Sequence, residues 1–255
     1  MVEYHVRERI AFITLNRPEK RNALSFELIS ALKQSFDQAE SDHEVKVIIL
    51  QARGEAFCAG ADLAYVQKLQ HFSYEENLKD SNHLKELYLK IYNHSKVIIA
   101  QVQGHALAGG CGLATVCDWV FAVPEARFGY TEVKIGFIPA LVSVFLLRKV
   151  GEGRARELLL GGELISAERA QAFGLINRVV PPDSLDQEVR AFASKLIVTN
   201  AAASMALTKR LISDVAGKSM DEALRLAAEQ NAHARGTEDC KRGIAAFLNK
   251  EKIIW

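Results

Sequence analysis

The sequence has 255 residues and a formal net charge of +1, with 32 lysines and arginines against 31 acidic residues. Hydrophobic residues make up 49% and charged residues 25%, which is typical of a globular protein with one large domain or one domain and a smaller appendage. This balanced charge gives no reason to expect a nucleic acid or a membrane surface as a partner, and we expect neither.

The cysteines and the apolar segments indicate a cytoplasmic protein. No two cysteines have the CxxC spacing of a metal site, so we predict reduced thiols and no metal ligands at Cys58, Cys111, Cys117 and Cys240. Residues 1–20 place charge on both sides of a short apolar stretch, unlike a secretory signal. The apolar run at 138–147 is too short to span a bilayer.

The chain begins with alternating buried strands and helices. Residues 10–15 (IAFITL) predict a buried strand, and a helix follows from Ser25, a predicted N-cap, with apolar residues at helical spacing. Residues 45–50 (VKVIIL) have the continuous β-branched character of a strand buried on both faces. A glycine-containing loop, ARGEAFCAGADL, comes next.

The same order then repeats. A helical stretch at 74–94 leads to a second buried strand at 96–102, a second glycine loop and a third strand at 116–123. Because strand, glycine loop and helix recur in one order, the sequence predicts an α/β fold.

The best boundary signal is PPDS at 181–184. Beyond it the chain is compatible with helix almost throughout. We therefore divide the chain into a core at 1–182 and a helical region at 183–255, for which the family resemblance described below implies a role in trimerisation.

Both glycine loops follow a buried strand. The second, GHALAGGCGLATVCD at 104–118, places four glycines where a helix begins. Neither loop fits GxGxxG in the dinucleotide position or the GK[ST] ending of a P-loop. Two readings stay open: tight turns with close helix–sheet packing, or one backbone N–H from each loop aimed at a single oxygen, as in an oxyanion hole.

A carboxyl group in apolar surroundings is the third feature. Residues 127–139 (RFGYTEVKIGFIP) place Glu132 beside Val133 and between Phe128 and Phe137. Desolvation raises the pKa of such a group and suits it to acid–base chemistry near neutral pH. The alternative is an exposed glutamate at the end of a strand.

Taken together, these stretches resemble the enoyl-CoA hydratase/isomerase (crotonase) superfamily, and most of all its bacterial enoyl-CoA hydratases. The segments NRPEKRNALS, AFCAGADL, VQGHALAGGCGLATVCD, ARFGYTEVKIGFIP and AFGLINRVV occur in the family's order and at its spacing. The resemblance implies a crotonase-like spiral of ββα turns with a helical C-terminal region. It also implies homotrimers, often paired into homohexamers.

Site residues follow from the resemblance by position. It implies an oxyanion hole formed by the backbone N–H groups of Ala61 and Gly109, which would hold the thioester oxygen of an acyl-CoA, with Glu132 as the acid–base group. CoA would enter as part of the substrate, with no separate cofactor. The positions implied to contact the substrate are Ala23, Ala61, Asp62, Leu63, Ala64, Gly109, Gly112, Phe247 and Lys250.

Gly112 is where the sequence departs from the family. A typical hydratase has a glutamate there, the first of a pair that holds the attacking water, and Glu132 matches the second. By proximity in sequence, Asp62, Tyr130 and Thr131 are the candidates to orient the water instead.

The context GYTEVKIGFIPA favours a hydratase that converts 2-enoyl-CoA to 3-hydroxyacyl-CoA in fatty-acid or branched-chain acyl-CoA catabolism. The alternatives are a 3,2-enoyl-CoA isomerase that uses a single glutamate, a methylglutaconyl-CoA hydratase, and an acyl-CoA-binding homologue with little turnover. The first alternative follows from the missing glutamate at 112, since one base suffices to move a proton from C2 to C4.

Overall fold

The computed structural model describes residues 1–255 apart from the side chain of Leu63, so the predicted substrate contact of Leu63 lies outside the described residues. The described residues form these strands: β1 (Val2–Arg7), β2 (Ile10–Leu15), β3 (Val47–Ala52), β4 (Ala56–Cys58), β5 (Val97–Val102), β6 (His105–Leu107), β7 (Trp119–Ala122), β8 (Arg127–Gly129), β9 (Ile165–Ser166) and β10 (Arg178–Val179). The α-helices are α1 (Phe26–Ser41), α2 (Leu63–Leu69), α3 (Tyr74–Tyr92), α4 (Gly109–Thr115), α5 (Ala140–Gly161), α6 (Ala167–Ala172), α7 (Leu185–Thr199), α8 (Ala202–Val215), α9 (Met220–Gly236) and α10 (Glu238–Leu248).

The larger sheet has six strands in the order β1-β2-β3-β5-β7-β10. Its central strands pair in parallel, and only β1 runs antiparallel to its neighbour β2. The continuous apolar runs of β2, β3 and β5 are buried because helices cover both faces of such a sheet. The strands predicted at 10–15, 45–50, 96–102 and 116–123 are therefore confirmed, within a few residues at their ends.

A smaller sheet, β4-β6-β8-β9, accompanies the first. Each pass of the chain adds one strand to the large sheet, one short strand to the small sheet, and then helix: β3-β4-α2-α3, β5-β6-α4 and β7-β8-α5. This order confirms the predicted spiral of ββα turns. It also stacks the ends of β4 and β6 in one place, where the two glycine loops begin.

The C-terminal part of the chain is helical, as predicted. Helix α7 packs on strands β3, β5 and β7, so the packed core extends beyond residue 182. Helices α8 and α9 have no buried residue among those described. The division into two domains at 182 stays a prediction. No helix in the described part of the chain is both long and apolar enough to cross a membrane.

Candidate active site

A buried asparagine holds the loop before α1 in place. The Asn22 side-chain oxygen accepts a hydrogen bond from the Arg17 N–H (2.8 Å), and its amide nitrogen donates to the carbonyls of Arg53 and Ala56 (2.8 Å each). Both polar atoms of its side chain are paired, so its complete burial is stable. The loop NRPEKRNALS is thereby fixed against the turn between β3 and β4.

This loop sets the direction of the Ala61 N–H group. Leu24 N–H donates to the Gly60 carbonyl (2.7 Å), and Asp62 N–H donates to the Leu24 carbonyl (2.9 Å). Peptide groups of successive residues in an extended segment point to opposite sides. Because the Gly60 carbonyl and the Asp62 N–H both point toward Leu24, the Ala61 N–H points away from Leu24. The Ala61 N–H has no backbone acceptor among the described residues.

The Asp62 carboxylate makes structural contacts with its neighbours. Its carboxylate accepts from the Ala64 N–H (3.0 Å), which caps α2, and forms an ion pair with Arg17 Nη2 (3.0 Å). Burial raises the pKa of Asp62, but the hydrogen bonds from Arg17 and from the N–H groups of Ala64 and Tyr65 outweigh it, and the net pKa lies below the usual range. The carboxylate therefore orients the Ala61 loop, and its acceptor sites are largely occupied.

The second N–H donor begins helix α4. Ala108 adopts φ +49° and ψ −125°, a conformation that costs a non-glycine residue about 1–3 kcal/mol and is concentrated at functional sites. This turn leaves the Gly109 N–H at the first position of the helix, where it has no intrahelical partner. A Cβ on Gly60 would lie 2.9 Å from the Ala108 Cβ, so the two glycine loops touch.

Gly110 shows why this turn needs glycine. A Cβ there would lie 2.2 Å from the Cys58 carbonyl oxygen and 2.7 Å from Cys58 Sγ. Helix α4 thus lies directly on the end of β4, closer than any side chain would permit. Both readings of the glycines are therefore compatible: Gly110 serves close packing, and that packing brings the Ala61 and Gly109 loops together.

Gly112 is buried against Tyr88 of helix α3, which the sequence did not single out. A Cβ on Gly112 would lie 2.5 Å from Val142 Cγ1 and 2.7 Å from Tyr88 Oη. The Tyr88 hydroxyl also donates to the Gly109 carbonyl (2.8 Å) and its side chain is completely buried. An aromatic residue on an amphipathic helix is a usual core residue, so no sequence signal marked it.

Glu132 begins a short 3₁₀ turn, Glu132–Ile135, three residues after Gly129. The Gly129 carbonyl accepts from the Ala108 N–H (2.7 Å), which brings this turn to the start of α4. The Glu132 Oε2 atom is buried with no hydrogen-bond partner among the described residues. Burial raises the pKa of Glu132, which confirms the desolvation predicted from its neighbours, although Phe137 is exposed.

The Tyr130 hydroxyl contacts Thr115, the last residue of α4, and so lies away from the Gly109 N–H at the first residue of that helix. Its hydroxyl is 2.6 Å from Thr115 Oγ1, which itself donates to the Cys111 carbonyl (2.8 Å), so the Tyr130 O–H donates to Thr115. Burial raises the pKa of Tyr130 well above its usual value. The Asp62 carboxylate is also engaged, by Arg17 and by the Ala64 N–H. The role of Thr131 in orienting the water stays a prediction.

The remaining predicted contacts lie on two parts of the surface. Ala23 is nearly buried beside Arg17, and Ala64 is exposed on the first turn of α2. Helix α10, which packs on α8 and α9, carries Phe247 with 82% of its surface exposed, and Lys250 follows it. Their contact with CoA stays a prediction.

A cavity of about 700 Å³ lies at the opposite end of α4. Its lining includes Thr115, Phe145 and the ion pair of Lys209 with Asp118 (2.7 Å). Asp118 also accepts from the Ile98 N–H (2.7 Å). Asp118 therefore orients the backbone of β5, and the cavity is separate from the Ala61 and Gly109 loops.

Comparison with known proteins gives the family. A protein of Thermus thermophilus, provisionally named an enoyl-CoA hydratase, is 46% identical over 241 residues, which cover 94% of this chain and 95% of that protein. The short-chain-enoyl-CoA hydratase of Clostridium acetobutylicum is 34% identical over 96% of this chain and 93% of its own. The crystal structure of an enoyl-CoA hydratase from Mycobacterium smegmatis superposes with a TM-score of 0.93 at 34% identity, covering 100% of this chain and 98% of that one.

The family model described as enoyl-CoA hydratase/isomerase matches residues 5–255. That span includes both glycine loops and Glu132. The chain belongs to the enoyl-CoA hydratase/isomerase family.

Proposed function

We propose that the protein adds water to 2-enoyl-CoA thioesters and forms 3-hydroxyacyl-CoA. The observation that carries this proposal is the buried, unpartnered carboxyl oxygen of Glu132, whose pKa is raised by burial, next to a turn that presents the Gly109 N–H. The chemistry needs a base poised near neutral pH and donors for a developing negative charge. The names of the hydratase relatives support the same reaction.

The Ala61 and Gly109 N–H groups would polarise the thioester carbonyl. As the oxygen of water bonds to C3, the electron pair of the C2–C3 double bond moves toward the carbonyl, and an enolate forms with its charge on the thioester oxygen. Glu132 takes a proton from the water and returns it to C2, which restores the thioester. Each donor of this kind contributes about 2.7–4 kcal/mol to the transition state.

We further propose that CoA reaches the site as part of the substrate and that no separate cofactor takes part. The proposed steps only move protons and one electron pair between water, Glu132 and the acyl group. The short-chain name of the Clostridium relative suggests a short acyl group, with crotonyl-CoA as the first substrate to try.

A second candidate is 3,2-enoyl-CoA isomerase. It is favoured by Gly112, where no second carboxylate is available and no side chain fits without displacing Tyr88 or Val142. One base that removes a proton from C2 and returns it at C4 would suffice.

The test is spectrophotometric. We expect the purified protein to remove the conjugated enoyl-thioester band of crotonyl-CoA. A persistent band with crotonyl-CoA, together with a new conjugated band from a 3-enoyl-CoA, would replace the hydratase by the isomerase. Thioester binding with no change in either substrate would identify an acyl-CoA-binding homologue.

We also propose that the chain assembles into homotrimers or homohexamers through its C-terminal helices. Large apolar side chains are exposed on α8, α9 and α10, including Ile212, Leu224, Phe247 and Leu248. Such a surface on one copy is typical of an interface. Light scattering on the eluted protein should give three or six times the mass of 28.2 kDa, whereas a monomer at micromolar concentration would contradict the assembly.

A reducing compartment, the cytoplasm, suits the thiols. Cys58, Cys111 and Cys117 are buried and unpaired. Burial raises the pKa of Cys58 to about 12 and that of Cys111 to about 11. We propose that these cysteines serve only as small apolar groups of the core.

A further inference from the structure

The space at Gly112 is filled by a methyl group of Val142 from α5 and by the hydroxyl of Tyr88 from α3. Tyr88 Oη lies 2.7 Å from the point where a Cβ of residue 112 would be. The sequence resemblance places the first glutamate of a water-holding pair at this position. In this chain the phenol oxygen of Tyr88 stands at the root of that missing side chain.

Tyr88 has hydrogen-bonding capacity to spare. Its one O–H donates to the Gly109 carbonyl at 2.8 Å, which leaves the oxygen lone pairs as acceptors. Burial first, and then the nearby Cys58 and the charge of Glu132, raise the pKa of Tyr88 well above its usual value. The group therefore stays a neutral phenol and accepts a hydrogen bond without exchanging a proton.

Glu132 offers a second acceptor near the start of α4. Its Oε2 atom is buried and unpartnered among the described residues, and a buried polar atom of this kind is normally satisfied by water or by ligand. The Ala108 N–H donates to the Gly129 carbonyl (2.7 Å), which brings the turn that carries Glu132 to the residues where α4 begins. Two acceptors match the two hydrogens of one water molecule.

We propose that Tyr88 Oη and Glu132 Oε2 together hold the water that adds to C3. This inference rests on the proposed hydratase function. Each oxygen accepts one hydrogen of the water, so the water's lone pair is directed at the substrate. As the C3–O bond forms, the hydrogen held by Glu132 passes to the carboxylate and then to C2, and the hydrogen held by Tyr88 remains on the new hydroxyl group.

The test separates water addition from proton transfer. Hydration of crotonyl-CoA requires a held water, but exchange of the C2 proton of butyryl-CoA with D₂O requires only Glu132 and the oxyanion hole. In Tyr88→Phe we expect kcat for hydration to fall about tenfold, the worth of one hydrogen bond, while the exchange rate changes less than about twofold. Tyr92→Phe is the matched control, because Tyr92 lies one turn later on α3 and also packs on Phe145.

Each other outcome overturns the inference in a distinct way. Equal losses of hydration and exchange in Tyr88→Phe would mean that Tyr88 acts only through Gly109 and the shape of the oxyanion hole. Unchanged hydration would mean that its hydroxyl touches no reacting water. If the wild type exchanges the butyryl-CoA proton but does not hydrate crotonyl-CoA, the hydratase proposal itself fails, and the role of Tyr88 fails with it.

Discussion

Glu132→Gln should abolish hydration while leaving the fold intact. We expect kcat for crotonyl-CoA to fall by about 10²–10⁴-fold, because the amide cannot accept and return a proton. Binding of the thioester, measured by calorimetry, should stay within about twofold of the wild type. Loss of the enoyl-thioester band over time gives the rate.

The same variant carries a prediction about stability. The pKa of Glu132 is raised in the folded protein, so the folded state binds this proton more tightly than the unfolded state. The proton on Glu132 therefore stabilises the fold fully below the unfolded pKa, and this stability is lost as pH rises from the unfolded pKa through the raised folded pKa. Glutamine avoids that loss, so urea unfolding at pH 7 should give an equal or higher free energy of unfolding.

Glu125→Gln is the matched control, since Glu125 is exposed in the turn before β8. It should keep wild-type turnover. In the wild type, kcat/KM should fall at acidic pH, because Glu132 acts as a base only after losing its proton. The apparent pKa of that fall should lie above the ordinary carboxyl pKa of about 4.3. Residual wild-type turnover in Glu132→Gln would remove Glu132 from the mechanism.

Gly110→Ala should damage stability and catalysis together. The new Cβ would lie 2.2 Å from the Cys58 carbonyl oxygen, where ordinary contact begins near 3.4 Å, so α4 and β4 must separate by about 1 Å. Overpacking of this kind costs about 1–3 kcal/mol of unfolding free energy, which outweighs the better helix propensity of alanine. Displacement of the Gly109 N–H by about 1 Å should lower kcat about a hundredfold.

Gly153→Ala provides the control for this substitution. Gly153 lies in α5, and a Cβ there would meet nothing within 4 Å. We expect unchanged turnover and an unfolding free energy equal to the wild type or higher by up to about 1 kcal/mol. Wild-type unfolding and turnover in Gly110→Ala would show that the close approach of α4 to β4 is dispensable.

The large sheet was predictable from sequence because its inner strands are continuous apolar runs. Ile10–Leu15 is the clearest example, and Ser25 caps α1 as its position before the apolar helix indicates, with its side chain accepting from the Leu28 N–H. The edge strand β1 was not predicted. Its VEYHVR pairs only with β2 and is half exposed, so it lacks a continuous apolar run, although its apolar and polar residues alternate as in a half-buried strand.

The small sheet also escaped prediction. Strands β4, β6 and β8 have three residues each, too few for any periodicity to register. They form because each follows a strand of the large sheet, and the neighbouring strands β3, β5 and β7 bring the first residues of β4, β6 and β8 close together. The glycines after β4 and β6 nevertheless indicated where the two loops of the candidate site lie, because a glycine cluster after a buried strand indicates a turn or a close backbone approach.

The candidate site likewise contains residues that could be predicted from sequence and residues that could not. Glu132 and the two glycine loops could be found from local chemistry and the family resemblance. Tyr88 could not, because its importance depends on where α3 crosses α4 and on the absence of a side chain at Gly112. The pairing of Arg17 with Asp62, 45 residues apart, likewise depends on tertiary structure.

The most direct test of the account is the product formed from crotonyl-CoA in ¹⁸O-labelled water. If the protein is a hydratase, mass spectrometry will find 3-hydroxybutyryl-CoA with one ¹⁸O atom, formed by the wild type and not by Glu132→Gln. Recovery of crotonyl-CoA without added water, from a wild-type protein that binds it, would contradict the central claim.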